Sequence, residues 1–444
     1  MKVKFSKYNY IFEKEGSIYI YNTRSSAKII LNLQEEIDYF KSIKDKVLEL
    51  DNFNRIYYDN GIFIDETVDE YKMAFVSGCQ KMYDTSKLNL IIMPTRNCDL
   101  RCIYCYEKHE PKYMSEETVI QVINAIKNYY SSTKFHYLNI EWFGGEPLLA
   151  IDIVEQITIA LRKFCNSNNI IYYSSITTNG YSMDKQKFDK LINLGIKNYQ
   201  ITIDGEKEIH DKLRITKEGY GSWDKIFNTF RLMKNSNYDF SCTVRINYDM
   251  RVLMNLEKFI DFLNKQLLYD DRFKLLVHSI GDYGDSLDNR LELITQSLHS
   301  STTKIINKML ISKNVNIEKH CAAMYCYGHK CYASRQDSLV IDYDGRLHKC
   351  TVLIDDDINN VGVVENNEFK YNLEKLYKWI SPPIYEFNRK CKTCKCFPTC
   401  FGGSCPISYV KMGDSANTIC IDEIDGEVMK DITLEYMDRK KSVK

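Results

Sequence analysis

The chain has no excess of charge of either sign: 60 Lys and Arg balance 60 Asp and Glu over 444 residues. A nucleic-acid-binding scaffold normally shows a basic excess or stripe, so no nucleic-acid partner is expected. No stretch approaches the ~18 apolar residues of a membrane span, and Met1-Lys2-Val3-Lys4-Phe5-Ser6-Lys7 leads into no apolar signal core. The expectation is a cytoplasmic protein with no membrane partner. Prolines number only seven, and neither an internal repeat nor a low-complexity linker interrupts the chain. Hydrophobic residues at 44% and charged residues at 27% are ordinary for a globular protein. The length is a prior for about three domains.

Cysteine is the exception to this evenness. Of sixteen, three lie within Cys98–Cys105 and ten within Cys321–Cys420, leaving Cys79, Cys165 and Cys242 as scattered singles. Disulfides are disfavoured in a reducing cytosol, so such clusters read as metal or cofactor ligands. The singles read as small buried hydrophobes.

Residues 1–85 read as a small α+β unit. Ser17–Tyr21 and Arg55–Tyr58 are expected as strands around a helical stretch Leu33–Leu48, with Asp59-Asn60-Gly61 as the turn into Ile62–Ile64. From 86 to 312 the pattern alternates. Strands are predicted at Leu88–Met93, Tyr137–Trp142, Ile170–Ile176, Tyr199–Ile203, Cys242–Asn247 and Phe273–Ser279. Helical spacing separates them, as in Val119, Ile123, Ile126, Tyr130 and in Val154, Ile157, Leu161, Phe164. Such alternation implies α/β architecture with a parallel sheet, because parallel neighbours need long crossovers, and ligand loops then gather at the strand C-termini. Residues 313–444 turn to cysteines, hairpins and turns, including a hairpin Ile341–Leu347 centred on Asp344-Gly345. The acidic run Asp355–Asp357 and the basic tail Arg439–Lys444 are expected as solvated surface.

Directly after the first strand comes Cys98-Asp99-Leu100-Arg101-Cys102-Ile103-Tyr104-Cys105, a CxxxCxxC triplet in one loop. Three thiolates can hold three irons of a [4Fe-4S] cube and leave the fourth iron open. A zinc site completed by His109 is the competing reading.

Here the chain resembles the radical S-adenosylmethionine (radical SAM) superfamily. In that family CxxxCxΦC follows the first strand of a partial barrel, and Tyr104 occupies the aromatic position near the adenine. Gly144-Gly145-Glu146-Pro147 is similar to the family's GGEP motif, in which glycine carbonyls and a carboxylate can accept from the methionyl ammonium. Thr177-Thr178-Asn179-Gly180 and Thr202-Ile203-Asp204-Gly205 stand where the family contacts ribose and the methionyl end, with Thr178, Asn179, Thr202 and Asp204 as the residues concerned. The resemblance implies a partial (β/α)6 TIM-like barrel, S-adenosylmethionine on the open iron, and homolysis to a 5′-deoxyadenosyl radical that takes a hydrogen atom from substrate. Arg214 could pair with a carboxylate of cofactor or substrate, or form a surface ion pair; Arg245 is open between lumen-facing and structural roles.

The C-terminal cysteines resemble the SPASM extension of radical SAM enzymes, which usually houses two auxiliary clusters. Its interleaved order assigns Cys326, Cys331, Cys350 and Cys405 to one cluster and Cys391, Cys394, Cys400 and Cys420 to the other, making three [4Fe-4S] clusters in all. Cys321 could replace Cys326, and Cys396 is a spare thiol or substitute ligand. Four residues, Phe401-Gly402-Gly403-Ser404, separate Cys400 from Cys405 where the family has three. Lys392 and Lys395 suit the negative charge of a thiolate-bound cube, and structural zinc ribbons are the alternative.

SPASM members act mainly on peptides or proteins. The N-terminal unit resembles the winged-helix-like domain with which ribosomal-peptide maturases capture a leader by strand addition, an ordinary packing domain being the other reading. The resemblance implies a maturase that closes a thioether, ether or carbon-carbon cross-link in a ribosomally synthesised precursor peptide, with an electron donor such as flavodoxin or ferredoxin. The alternative is anaerobic sulfatase maturation, in which an acidic residue follows the cysteine matching Cys350; here Thr351 follows. A non-enzymatic iron-sulfur or zinc scaffold is the third reading. No general base is identified; His278, Asp282 and Tyr283 are the polar residues near the end of the sixth strand.

Overall fold

The alternating apolar segments form six strands of a ten-stranded sheet. The structure, a computed structural model, describes residues 1–281, 290–317, 331–381, 389–401 and 405–412. Six parallel strands are β1 (Lys87–Ile92), β2 (Tyr137–Trp142), β3 (Ile171–Thr178), β4 (Asn198–Thr202), β5 (Ser241–Tyr248) and β6 (Phe273–Ser279). Four more follow: β7 (Ser338–Ile341), β8 (Arg346–His348), β9 (Asn360–Glu365) and β10 (Glu368–Tyr371). The order is β6-β5-β4-β3-β2-β1-β7-β8-β9-β10. Because β1 pairs with β7 and not with β6, the sheet is open, a partial barrel.

Local chemistry explains the alternation. Leu88, Leu90 and Ile92 are buried while the residues between them are less so, the period-2 signature of a strand with two different faces. The crossover helix Glu116–Thr133 starts where the Ser115 side chain accepts from the Thr118 N–H and ends at Lys134 in the left-handed conformation. It buries Val119, Ile123 and Ile126, and Tyr130 meets Phe164 of helix Ile151–Ser167 edge-on at 5.5 Å. The Asp-Gly hairpin is present: β7 and β8 pair antiparallel, with Gly345 at φ 81°. The acidic run is not simply solvated. Asp355 pairs with Arg96 at 3.2 Å, the Asp356 side chain accepts from the Ile358 N–H, and Asp357 pairs with Lys375.

Chain packing separates two compact units. One comprises 85–317 and 336–377; the other comprises 1–84 with 331–335 and the described residues from 378 onward. In the second unit, Lys2–Phe5 lies antiparallel between Leu48–Glu49 and Phe63–Asp65, beside a meander of Asn9–Lys14, Ser17–Asn22 and Lys28–Leu31. Helix Gln34–Ile43 buries Ile37, Phe40 and Ile43 in a core with Val3 and Phe63. The strand expected at Arg55–Tyr58 is instead helix Arg55–Asp59. The Asp51 carboxylate accepts from the N–H groups of Phe53 and Asn54, and this turn launches a helix despite the β-prone Ile-Tyr-Tyr. Among the described residues, no helix is long and apolar enough to cross a membrane.

Candidate active site

The cysteine triplet sits beyond the C-terminal end of β1, and neighbouring segments fix it. Leu100–Cys102 pairs antiparallel with Arg214–Thr216, placing Arg214 opposite Cys102. The Ile103 N–H donates to Leu213 O at 2.9 Å and the Lys217 N–H to Asp99 O at 2.9 Å. The Gly-Gly loop after β2 lies against the entry to the triplet: the Gly145 N–H donates to Thr95 O and the Glu146 N–H to Asn97 O. A Cβ on Gly144, at φ 109°, would stand 2.7 Å from Thr95 O, and one on Gly145 would stand 2.7 Å from Arg96 O and closer still to Asn97 O. Only glycine permits that approach.

A cavity at these strand ends is lined by Cys98, Cys102, Tyr104, Cys105, Gly144, Gly145, Thr178, Asn179, Thr202 and Arg214. Glu146, Pro147 and Asp204 do not line it. Glu146 is fully buried: Oε1 accepts from the Leu148 N–H and the Thr178 hydroxyl, and Oε2 from the Asn179 N–H. Burial and nearby Asp99 push its carboxyl up to about 7, against the pull of those three donors. Pro147 opens the short helix Pro147–Ala150 beneath. Asp204 accepts from the Asn247 N–H on Oδ1 and from the Tyr104 hydroxyl on Oδ2.

Glu107, His109, Arg245, Asn247 and His278 also line the cavity. Asp282 and Tyr283 lie outside the described residues. Burial pushes the Glu107 carboxyl up to about 7 and the His109 imidazole down to about 4. Glu107 had no sequence signal beyond its place two residues after Cys105. A second hollow of about 580 Å³ opens at the strand N-termini, lined by Lys87, Asn89, Tyr137 and Asn198 among others. The groups with chemistry gather at the opposite end.

The residues suit an iron-sulfur group. Burial raises all three thiols, so a bound cation is what would hold them as thiolates. Cys98 Sγ already accepts from the Leu100 N–H at 3.4 Å and from Asn179 Nδ2 at 3.6 Å, donors that stabilise a ligand thiolate. Among the described residues, no three His, Cys, Asp or Glu side chains converge as on one metal ion. Zinc needs its ligands at one centre, whereas a cube takes each thiolate on a different iron.

The same sulfur-accepting turn recurs in the later cysteines. Cys350 Sγ accepts from the Val352 N–H at 3.4 Å and Cys394 Sγ from the Cys396 N–H at 3.3 Å. Cys331 and Cys405 both lie close enough to Tyr409 to raise its hydroxyl electrostatically, after burial. Cys391, Cys394 and Cys400 flank Phe397 and Phe401, which pack on Tyr71 and Phe75 of helix Glu70–Met82. Gly78 of that helix has the Phe401 ring where a Cβ would go. Cys396 is buried and hydrogen-bonds Tyr10 at 2.9 Å, while Lys392 and Lys395 are exposed. Cys321, Cys326 and Cys420 lie outside the described residues. Cys165 and Cys242 are fully buried and Cys79 is half-buried.

An open, partly parallel sheet with a cysteine loop at its strand ends is an α/β scaffold whose residues suit an iron-sulfur group. Residues 92–263 match the Radical SAM superfamily, so the chain carries a radical SAM domain and is an enzyme. That family implies S-adenosylmethionine and a [4Fe-4S] cluster. The cysteine-type anaerobic sulfatase-maturating enzyme of Clostridium novyi (strain NT) is 24% identical over 346 residues, 71% of this chain and 87% of that protein. Two solved structures share the fold. Native anSMEcpe with bound AdoMet and Cp18Cys peptide gives a TM-score of 0.61 at 19% identity, covering 80% of this chain and 98% of its own. Streptococcus suis SuiB bound to precursor peptide SuiA gives 0.51 at 15% identity, covering 96% and 99%.

Proposed function

We infer that the chain is a peptide maturase that abstracts a hydrogen atom from a ribosomally synthesised precursor and closes an intramolecular thioether, ether or carbon-carbon cross-link. The supporting observation is the reach of the SuiB likeness: 96% coverage leaves about 18 of 444 residues outside it, so it includes most of the 84-residue N-terminal segment. Thr351 after Cys350, where sulfatase maturases carry an acid, points the same way. Formylglycine formation is the second reading, favoured by the Clostridium novyi relative.

In this reading Cys98, Cys102 and Cys105 hold the first cluster, and the carbonyls of Gly144 and Gly145 face the methionyl ammonium. Tyr104 stands beside the adenine, with Thr178, Asn179 and Thr202 at the ribose and methionyl end. Cys331, Cys350, Cys391, Cys394, Cys400 and Cys405 hold two auxiliary clusters with Cys326 and Cys420, and a flavodoxin or ferredoxin donates electrons. Once bound, these groups supply a 5′-deoxyadenosyl radical and accept the electron released as the cross-link closes. The N-terminal unit captures the leader segment of the peptide.

The test is anaerobic reconstitution with dithionite, S-adenosylmethionine and the peptide encoded by a neighbouring reading frame. Formation of 5′-deoxyadenosine with a peptide two hydrogens lighter and inert to hydrazide is expected. A hydrazide-reactive aldehyde establishes formylglycine formation instead. No 5′-deoxyadenosine, with all metal found as zinc, removes both readings.

A further inference from the structure

The cysteine loop 391–400 and the N-terminal segment belong to one compact unit, and main-chain contacts bolt them together. Lys7 Nζ donates to Lys392 O at 2.8 Å, and the Thr23 hydroxyl donates to Lys395 O at 2.5 Å. The Thr23 N–H donates to Tyr8 O at 3.1 Å and the Tyr8 N–H to Ser6 Oγ at 3.2 Å, so the main chain of Tyr8 is held on both sides.

Tyr8 is fully buried, and its hydroxyl has no hydrogen-bond partner among the described residues. Its ring packs in one apolar cluster with Ala74, Met82, Phe397 and Phe401, against which Cys391 and Cys394 also lie. Burial first, and then charge on Glu70, Tyr71, Asp69 and Cys394, raises this hydroxyl, which places Cys394 within its electrostatic reach. The carboxylates nearby are engaged elsewhere. Glu70 Oε2 accepts from the Ser6 hydroxyl and Oε1 from the Lys7 N–H, while Asp69 caps its own helix through the N–H groups of Tyr71 and Lys72. A phenol sealed among apolar side chains has no solvent to turn to, and a buried donor left unpaired is costly. It calls for an acceptor, and sulfur bound to iron is a negatively charged one.

We propose that the Tyr8 hydroxyl donates a hydrogen bond to sulfur of the auxiliary cluster held by Cys391, Cys394 and Cys400, so that the N-terminal segment helps to set the potential of that cluster. The inference rests on the reading that these cysteines hold an iron-sulfur cluster. The Cys396 N–H already donates to Cys394 Sγ at 3.3 Å, and Tyr8 adds a second donor from the other side of the chain fold. Hydrogen bonds to cluster sulfur favour the more negative, reduced state and raise the potential. The segment expected to capture the peptide would thereby also tune the cluster that receives its electron.

The test is a redox titration of the full-length reconstituted protein, followed by electron paramagnetic resonance, with the first cluster recognised by its response to S-adenosylmethionine. Tyr8→Phe keeps the ring and removes the donor. It is expected to lower one auxiliary midpoint by about 59 mV, a tenfold change in a one-electron equilibrium, and to leave the other two clusters unmoved. Phe75→Leu loosens the stacking on Phe401 without removing a donor and should move no midpoint. Unmoved potentials in Tyr8→Phe, a shift confined to the cluster that responds to S-adenosylmethionine, or an equal shift in Phe75→Leu overturns the proposal. If Tyr8→Phe does not fold, Tyr8→Met replaces it in the same titration. A wild-type protein that takes up iron for the first cluster alone overturns the auxiliary-cluster reading together with this inference, whereas three clusters with unmoved midpoints overturn only the role of Tyr8.

Discussion

Glu146 and Asn179 join two loops: the Asn179 N–H donates to Glu146 Oε2 at 2.7 Å, while the neighbouring Thr178 hydroxyl donates to Oε1 at 2.6 Å. The carboxylate of the Gly-Gly-Glu-Pro segment therefore fastens the loop after β3 to the loop after β2, with its oxygens turned from the cavity. In Glu146→Gln one oxygen becomes an NH2 group, and whichever way the amide sits, the Asn179 or the Leu148 N–H loses its acceptor. The variant should lose about 1–3 kcal/mol of stability, read from urea denaturation. An unchanged midpoint contradicts this role.

Gly145 makes room for the main chain just ahead of Cys98. A methyl there meets the carbonyls of Arg96 and Asn97, which are backbone and cannot swing aside. Gly145→Ala is expected to cost about 1–3 kcal/mol by overpacking and to hasten iron loss to a chelator. Gly219→Ala is the control: at φ 88° with open space around it, it bears only backbone strain of about 1 kcal/mol. Equal melting temperatures for the two variants would refute the packing argument.

The six parallel strands were legible because each apolar run is short, alternates and is separated by helical spacing, as in Leu88, Leu90 and Ile92. The cysteine triplet and the Gly-Gly segment were legible because they are contiguous. What sequence could not show depends on distant partners. Arg96 and Asp342 are 246 residues apart, and neither position carries a local signal. The strand Arg214–Thr216 exists only because Leu100–Cys102 lies beside it. At Arg55–Asp59 the β-propensity of Ile56, Tyr57 and Tyr58 lost to the turn set by Asp51.

Arg96 gives the most direct stability test of those distant partners. It makes a bidentate pair with Asp342, both residues being buried, and a single contact at 3.2 Å with the more exposed Asp355. Asp342→Ala strands a buried guanidinium and should cost about 3–5 kcal/mol, towards the lower end because Asp355 remains. Asp355→Ala should cost only about 0–1 kcal/mol. Comparable losses for the two variants, measured by urea denaturation, would show that burial does not set the strength of the pair.

His210 supplies a pH dependence whose sign follows from its burial. Desolvation, then the Arg214 charge, holds its imidazole well below the usual histidine range, and the neutral ring bridges the Asp204 N–H to Ser222. The unfolded chain takes up a proton near pH 6.5 that the folded chain refuses, so stability rises with pH across that region. The contribution is fully present above about pH 7 and declines as pH falls below about 6.5, by at most about 1.4 kcal/mol per pH unit. In His210→Gln the side-chain amide does not titrate, so the stability advantage of the wild type over this variant should shrink between pH 7 and pH 5. Urea denaturation at pH 7, 6 and 5 measures that difference directly. Carboxylates elsewhere titrate alike in both proteins and cancel, so an advantage that stays constant across the three values would mean that His210 is not held neutral in the fold.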